Sequence, residues 1–249
     1  MAVVWQQEKQ GVLYQVRSAG KTLRLYTDGV LHSQYNPHQP VTGHAWDWLM
    51  LPAFFYPEGK IKRVLVMGVG GGTVIHQLNH FIKPGEIVGV EMNKTHLSIG
   101  KRFFGLKKKN VSLLHADAIA WLNDYQGEAF DMIIDDVFSE AGGEPLAASS
   151  ADNGWFQLML EHLNPDGVIV KNFIDRKSLR QAMVLTDQSG SKGFKSLYQF
   201  DNPFNENVVL ACSKAGLDAR YFRKRLIETP GLNSTRKTCR LRYRMRTVR

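Results

Sequence analysis

The sequence predicts an α/β fold in which an open, doubly wound and mostly parallel sheet follows a small N-terminal β-appendage. Five short runs rich in Val, Ile and Leu recur after residue 63. Runs that are apolar on both faces are typical of buried parallel strands. The first four begin at residues 64, 87, 111 and 132, so spacings of 23, 24 and 21 residues leave room for one crossover helix each. The 249 residues are enough for one such domain and a small addition.

Residues 1–42 are predicted to form the small N-terminal β-domain. The runs 12–16 and 23–26 are apolar or alternate in polarity. Asp28-Gly29 is a strong signal for a tight turn between strands. A helix is predicted next, over about 44–55, because apolar residues recur there with helical spacing before Pro57.

The main α/β domain is predicted to occupy residues 43–218. The fifth apolar run, residues 168–170, ends near Asn172, and the runs 194–198 and 208–212 are predicted to close the sheet as antiparallel strands. The stretch 139–154 is rich in Gly, Ala and Ser and has no period. It is predicted to be a long loop, either a functional lid or a mobile insertion.

The positive charge of the chain is concentrated at its C-terminal end. The formal net charge is +9. Residues 220–249 contain eleven Lys or Arg and one acid, whereas the first 219 residues hold 21 bases and 22 acids. This basic tail, residues 219–249, could bind RNA or another polyanion through counterion release. The simpler prediction is a solvated, partly frayed terminus.

Nothing in the composition indicates a membrane or secreted protein. The longest apolar run, residues 48–56, is nine residues long and contains Pro52, whereas a membrane-spanning helix needs about 20 residues. The first ten residues lack the basic start and apolar stretch of a secretory signal. Two cysteines are too few for a disulfide framework. We therefore expect a cytoplasmic protein with no membrane association.

A glycine-rich turn directly follows the first strand of the sheet and precedes a helix predicted to begin near Val74. Its glycines are Gly68, Gly70, Gly71 and Gly72. Glycines allow a tight turn and can bring bare N–H groups against a ligand, although such a turn can also be a packing device. Glu91 ends the next strand, 19 residues after Gly72. A carboxylate at this position can accept both ribose hydroxyls of a nucleoside lying over the turn.

Acidic residues also follow the third and fourth strands. They are Asp117 and the pair Asp135-Asp136. Because the carboxyl ends of parallel strands meet at one edge, these acids and Glu91 are expected to line one crevice. The turn lacks the Gly-Lys-Ser/Thr ending of a phosphate-binding loop. An acidic crevice suits a cationic nucleoside such as S-adenosylmethionine, and a dinucleotide remains an alternative. The histidines show no metal-ligand spacing, so no metal is expected.

At this point the sequence resembles the spermidine synthase family, the polyamine aminopropyltransferases. The matching segments are residues 25–31, 64–72, 90–93, 115–118 and 130–136, in family order and spacing. The resemblance implies a Rossmann-like sheet of the class I S-adenosylmethionine-dependent methyltransferase type. It also implies that Glu91 lies at the donor's ribose, Asp117 and Ala118 at its adenine, and Asp136 beside the attacking amine. Met92, next to Glu91 in the matching segment, is a further predicted donor-binding residue.

The chain departs from the family pattern at three places. Gly71 stands where the family's glycine turn carries an Asp that holds the ammonium of decarboxylated S-adenosylmethionine and repels the carboxylate of the ordinary form. Ser139 replaces the second acid of Asp-x-x-Asp, and Gly43-His44-Ala45 replaces Tyr-His-Glu or Tyr-Gln-Glu. Gly71 therefore predicts that ordinary S-adenosylmethionine is tolerated.

These observations predict a spermidine synthase-like transferase that moves an aminopropyl or methyl group to a small-molecule amine. Asp136 is the predicted catalytic residue, because a fixed carboxylate favours an amine that gains charge and can take its proton. Strand alternation should place only one of Asp135 and Asp136 in the site. The resemblance implies a homodimer. The alternative is a catalytically inactive protein on the same fold that binds a nucleoside, RNA or another polyanion.

Overall fold

The computed structural model describes residues 1–141, 144–147, 153–189 and 194–248. Its N-terminal part is a four-stranded antiparallel sheet with the strands in chain order. The strands are β1 (Ala2–Lys9), β2 (Val12–Ala19), β3 (Thr22–Thr27) and β4 (Val30–Tyr35). The predicted turn at Asp28 and Gly29 joins β3 to β4, and both residues have positive φ, 46° and 84°. The N-terminal β-appendage is thus confirmed.

The other strands form a hairpin and an eight-stranded sheet. In chain order they are β5 (Arg63–Met67), β6 (Glu86–Glu91), β7 (Val111–His115), β8 (Phe130–Asp135), β9 (Phe138–Ala141), β10 (Glu144–Ala147), β11 (Leu163–Phe173), β12 (Ser196–Asp201), β13 (Val208–Ser213) and β14 (Arg244–Thr247). The large sheet has the order β14-β12-β13-β11-β8-β5-β6-β7. Neighbours from β11 to β7 pair in parallel, whereas β12, β13 and β14 pair antiparallel. The prediction of a parallel sheet with antiparallel closing strands is correct.

Helices cover both faces of the large sheet. They are α1 (Ala45–Met50), which continues as a 3₁₀ turn (Leu51–Phe55), α2 (Thr73–Phe81), α3 (Lys94–Phe103), α4 (Ala118–Asp124), α5 (Asn153–Glu161), α6 (Arg176–Ser189) and α7 (Ala219–Glu228). Alternate residues of β5 face opposite cores: Val64 and Val66 pack with α1, α2 and α7, whereas Leu65 and Met67 pack with α4, α5 and α6. Within the described ranges, no helix is long and apolar enough to span a membrane.

The basic C-terminal segment is part of the fold, so the expected frayed terminus is wrong. Phe222 and Leu226 of α7 are buried in the core on the α1 side, together with Leu232 and Leu241. Strand β14 then pairs with β12 at the sheet edge. The prediction failed because the few apolar residues of this segment are widely spaced among the arginines. Their contacts with the sheet are long-range in sequence, so no local pattern reveals them.

Part of the predicted loop 139–154 is regular structure. Strands β9 and β10 pair antiparallel as a hairpin directly after β8, and α5 begins at Asn153. Residues 142–143 and 148–152 lie outside the described residues. The hairpin therefore belongs to the edge of the sheet where the acidic residues converge.

Candidate active site

A cavity of about 730 Å³ opens at the carboxyl ends of the parallel strands. Residues of β4 and of the start of α1 complete its wall. Seven predicted site residues line it: Gly68, Gly70, Glu91, Met92, Asp117, Ala118 and Asp136. The part of the wall that the structure describes carries these three acids and neither Lys nor Arg. Its charge therefore favours a cationic ligand.

The Glu91 carboxylate hydrogen-bonds the glycine turn to the end of β6. Its Oε2 accepts hydrogen bonds from the N–H groups of Val69 at 2.9 Å and Gly70 at 2.8 Å, and its Oε1 accepts from the N–H of Asn93 at 2.8 Å. Burial raises the pKa of Glu91, and the three N–H donors oppose that rise. Carboxylate oxygens have further lone pairs, so Glu91 can also accept ligand hydroxyls.

The expectation that bare N–H groups of the turn face a ligand is wrong. Besides the two that bind Glu91, the N–H of Gly68 donates to the Val90 carbonyl and that of Gly72 to the Val69 carbonyl. The N–H of Gly71 donates to Ser33 Oγ at 2.6 Å. The glycines instead permit close backbone approach: a Cβ at Gly68, where φ is 81°, would lie 2.2 Å from the backbone oxygen of Asp136.

Gly71 and Gly72 lie behind the turn and not among the described residues that line the cavity. A Cβ at Gly71 would lie 2.9 Å from Ser33 Cβ, and one at Gly72 would lie 2.3 Å from Leu106 Cδ2. Ser33 therefore fills the space that a side chain at position 71 would need. These two glycines pack the turn against β4 and Leu106, in contrast to the predicted ligand contact.

Asp117, Ala118 and Met92 form the other end of the cavity wall. Asp117 is the N-cap of α4, and its Oδ1 accepts from the N–H groups of Ile119 and Ala120, both at 2.9 Å. Met92 is 61% exposed at the mouth. The capping role fixes the position of Asp117 and leaves its other oxygen for a ligand.

Asp136 follows β8 directly and faces the cavity. Its Oδ1 accepts a hydrogen bond from Asn172 Nδ2 at 2.7 Å. Desolvation raises the pKa of Asp136 to about 7, with a further rise from the charges of Asp135 and Glu91, while Asn172 and Lys171 act in the opposite direction. A carboxylate with a pKa near neutrality is suited to accepting a proton.

Asp135 points to the opposite side of the sheet, as strand alternation predicts. Its Oδ2 accepts from Trp155 Nε1 at 2.7 Å and from Lys171 Nζ at 2.5 Å. The side chains of Asp135 and Lys171 are 0% and 1% exposed. The pair is therefore a buried structural ion pair that lies one residue away from the cavity.

The variant Asp135→Asn is expected to lose about 3–5 kcal/mol of unfolding free energy, because it removes the carboxylate charge beside the buried ammonium of Lys171. Urea unfolding at neutral pH measures the loss. The exposed Asp124 provides the control, since Asp124→Asn should change stability by less than about 0.5 kcal/mol. Equal stability of the two variants would contradict this role of Asp135.

Sequence reasoning missed several polar or aromatic residues that line the cavity, and five of them come from the N-terminal part and from the segment between β12 and β13. His32 comes from β4, His44 and Trp46 from the start of α1, and Asn205 and Asn207 from the segment between β12 and β13. His44 lies in the segment that aligns with the family's Tyr-His-Glu or Tyr-Gln-Glu motif, and this alignment could have indicated it as a site residue. The two asparagines carry no local signal, because they approach the cavity only through the order of the strands.

The rings of two histidines in the cavity wall, His32 and His96, pack against each other. The His32 and His96 ring centres lie 4.8 Å apart, and His96 Nε2 lies 2.8 Å from Thr27 Oγ1. Burial lowers the pKa of His96 to about 3, so this ring is neutral at physiological pH. Throughout the residues with described positions, His, Cys, Asp and Glu form no group of three or more that could hold a metal ion.

The central part of the chain matches a known family. Residues 49–216, more than half of the chain, match the model of the spermine/spermidine synthase domain. The chain belongs to this family. The match includes the glycine turn, Glu91, Asp117 and Asp136, so most of the cavity wall lies in the family domain, while the part from β4 and the start of α1 precedes it.

Of two curated relatives of the chain, one is named an aminopropyltransferase and the other a methyltransferase. Polyamine aminopropyltransferase 2 of Caldanaerobacter subterraneus subsp. tengcongensis is 27% identical over 112 residues, which cover 44% of this chain and 37% of that protein. The eEF1A lysine and N-terminal methyltransferase of Mus musculus is 28% identical over 162 residues, which cover 60% of this chain and 22% of that protein. The chain thus spans well under half the length of these relatives.

Solved structures of both kinds share the fold. A spermidine synthase in complex with the transition state analogue AdoDATO has a TM-score of 0.66 and 15% identity, covering 92% of this chain and 78% of that chain. Human methyltransferase-like protein 13 in complex with SAH has a TM-score of 0.56 and 20% identity, covering 73% and 85%. The predicted Rossmann-like sheet of the class I methyltransferase type is confirmed.

Proposed function

We propose that the protein is a transferase that moves an alkyl group from an adenosyl sulfonium to an amine. The observation that carries this proposal is the carboxylate of Asp136, held in an acid-lined cavity whose wall also carries Glu91 and the glycine turn. The aminopropyltransferase and methyltransferase names of the relatives support it. Among the lining residues that the structure describes, no feature favours the alternative of an inactive binding protein.

The proposed reaction is a displacement at the carbon next to sulfur. The amine nitrogen forms a bond to this carbon as the carbon–sulfur bond breaks, and the bonding electron pair leaves with sulfur as a neutral thioether. Positive charge therefore moves from sulfur to nitrogen. Asp136 stabilises the charge that develops on nitrogen and takes the proton that the amine gives up.

We assign the donor's ribose to Glu91 and its adenine to the wall formed by Met92, Asp117 and Ala118. Glu91 is buried beside the turn, and Asp117 is fixed at a helix N-cap, so both carboxylates are pre-oriented. Gly68 and Gly70 assist by allowing close backbone approach, whereas Gly71 and Gly72 act through packing. The sulfonium then lies between Glu91 and Asp136, where negative charge favours it.

We propose that ordinary S-adenosylmethionine is an accepted donor, which favours methyl transfer or a relaxed choice between the two donors. The family resemblance implies an Asp at position 71 that repels the donor's carboxylate, whereas this chain has a glycine there, packed against Ser33. Two like charges about 4 Å apart at an effective dielectric near 20 repel by roughly 4 kcal/mol. The lack of this repulsion supports the choice of donor.

The acceptor is proposed to be a small-molecule amine, as in the named aminopropyltransferases, and the protein to act as a homodimer in the cytoplasm. Exposed Val3 and Val4 on the edge strand β1 support pairing of N-terminal sheets. Both cysteines are buried and unpaired, which agrees with a reducing compartment. Polyanion binding by the basic tail stays a prediction, and the ion pairs of Arg244 and Arg246 with Asp201 already use part of its charge.

Calorimetry with S-adenosylmethionine, its decarboxylated form and methylthioadenosine tests the proposal, with ATP as the control nucleotide. We expect the first three to bind and ATP not to bind. Mass spectrometry of a panel of amines incubated with each donor then identifies the transferred group by its mass. No binding of any sulfonium or thioether nucleoside would refute the proposed function.

Donor selection is tested by restoring the family acid. Gly71→Asp alone should destabilise the fold, because its Cβ would press on Ser33, whereas Ser33→Gly with Gly71→Asp removes the clash. In the double variant, preference should shift by up to about 1,000-fold toward the decarboxylated donor, measured as the ratio of dissociation constants. Ser33→Gly alone is the matched control. If the ratio of the two dissociation constants is the same in the double variant as in this control, an acid at position 71 does not select the donor.

A further inference from the structure

Two asparagine side chains form a chain of hydrogen bonds that ends at Asp136. Asn207 Nδ2 donates to Asn172 Oδ1 at 3.2 Å and to the Phe173 carbonyl at 3.5 Å. Asn172 Nδ2 in turn donates to Asp136 Oδ1 at 2.7 Å. All three side chains line the cavity. The described side-chain hydrogen bond of the Asp136 carboxylate therefore uses Oδ1.

We propose that Asn172 and Asn207 are positioning residues that orient the Asp136 carboxylate and reserve its Oδ2 for the acceptor amine. This inference rests on the proposed function, because it assigns a purpose to the orientation of Asp136. Neither asparagine needs to touch the reacting atoms. Their effect reaches the reaction through the direction and the proton affinity of one carboxylate.

The role of Asn207 follows from the fact that the Asn172 amide has a hydrogen-bond donor, NH₂, and an acceptor, the oxygen. The end of Asn172 that faces Asp136 can be the NH₂ group, which stabilises a carboxylate, or the oxygen, which repels it. The donor from Asn207 satisfies Asn172 Oδ1 and thereby turns the NH₂ group toward Asp136. Asn207 thus selects the useful orientation of Asn172.

The backbone beneath this chain is held in place by the neighbouring rung of the sheet. Strands β8 and β11 pair in parallel with Asp135 opposite Lys171, and the side chains of these residues form the buried ion pair. Asp136 and Asn172 are the next residues along the two strands. The paired and ion-paired residues Asp135 and Lys171 therefore hold the two strands at a fixed separation, and with them Asp136 and Asn172.

The charged and titratable groups that face Asp136 must be held constant in any test. Asp135 of β8, Glu91 of β6 and Lys171 of β11 act on it directly. The cavity wall adds His32 and His44 from the N-terminal side, His96 of α3, and Asp117 at the start of α4. Substituting neutral amides leaves all of these groups unchanged.

Carbon-13 NMR titration of aspartate carboxyl groups measures the pKa of Asp136 without requiring turnover, and the variant Asp136→Asn identifies its resonance. In N172A the pKa should rise by about one pH unit, because a donor to the carboxylate is lost. In N207A the rise should be smaller. N207L removes the same donor without adding a charge, so the pKa of Asp136 in it should match that in N207A.

Kinetics provide the second measurement. In N172A we expect kcat to fall about tenfold and the acidic limb of its pH profile to move upward, while the donor dissociation constant is unchanged. The matched control is N164A, which removes an amide donor from Asp131 outside the cavity and should change neither quantity. Equal pKa values of Asp136 in wild type, N172A and N207L would overturn the inference.

Failure of the inference and failure of the proposed function are distinguishable. If wild-type protein binds no sulfonium donor, the proposed function fails while the titration still reports on the asparagine chain. If the donor binds and turns over but the three variants leave both the pKa and the pH profile of wild type unchanged, only the positioning role fails.

Discussion

Asp136→Asn is expected to lower kcat by about 100- to 10,000-fold, the range that a positioned proton acceptor contributes. An amide keeps the shape of the side chain but carries no charge and takes no proton. The donor dissociation constant should change little, because Glu91 and the adenine wall remain. Single-turnover measurements with saturating donor and amine separate the chemical step from binding.

The same variant should be more stable than wild type at alkaline pH. Desolvation raises the pKa of Asp136 from 3.8 to about 7, so the folded protein disfavours the charged form. A raised carboxyl pKa means that wild type loses stability as pH rises from about 4 to 7, and the deficit persists above pH 7. The full pKa change corresponds to about 4 kcal/mol. Because the side chain faces the cavity and its water, we expect about half of this.

Unfolding in urea at pH 8 and at pH 5 tests the sign. Asp136→Asn should gain about 2 kcal/mol over wild type at pH 8 and less at pH 5, where the wild-type carboxyl is mostly protonated. Asp135→Asn provides the contrast, since the adjacent acid is expected to lose stability. A loss of stability for Asp136→Asn at pH 8 would show that its charge is compensated in the folded protein.

Glu91→Gln is expected to weaken donor binding at least 100-fold, which is the second large effect. Hydrogen bonds from ligand hydroxyls to a charged acceptor contribute about 1.5–3 kcal/mol each. The variant also places an NH₂ group against the N–H donors of Val69, Gly70 or Asn93. The glycine turn should loosen, with a further loss of about 1–3 kcal/mol in unfolding free energy.

Calorimetry with S-adenosylmethionine and urea unfolding measure the two losses separately. Glu86 begins the same strand, and its ion pair with Arg63 is partly exposed. Glu86→Gln is therefore the matched control, with an expected stability change of at most about 1 kcal/mol and unchanged donor affinity. Donor binding by Glu91→Gln at wild-type strength would remove Glu91 from the proposed ribose site.

The local pattern of the chain was sufficient for the sheet and for much of the site. Apolar runs of three or four residues predicted β5 to β8, because a strand buried on both faces is mostly apolar. The positions of Glu91, Asp117 and Asp136 at the ends of these runs predicted a shared crevice. Alternation along β8 was enough to send Asp135 and Asp136 to opposite sides.

Long-range contacts explain what the local pattern missed. The arginine-rich C-terminal segment was expected to fray, yet Leu241 is buried and β14 joins β12, more than 40 residues earlier in the chain. The N–H groups of the glycine turn were expected to face a ligand. They are instead used by Glu91, by Ser33 and by the backbone, and only folding brings Ser33 to the turn.

The amino-acid sequence by itself determined the fold class, the strand and helix periods and the set of acids at one edge of the sheet, because these depend on residues near one another in the chain. The tertiary structure decided which atoms meet there. Asn207 reaches Asn172 across 35 residues of sequence, and Ser33 fills the space beside Gly71 across 38. Such pairings depend on strand order and on packing, which residues along a single segment do not encode.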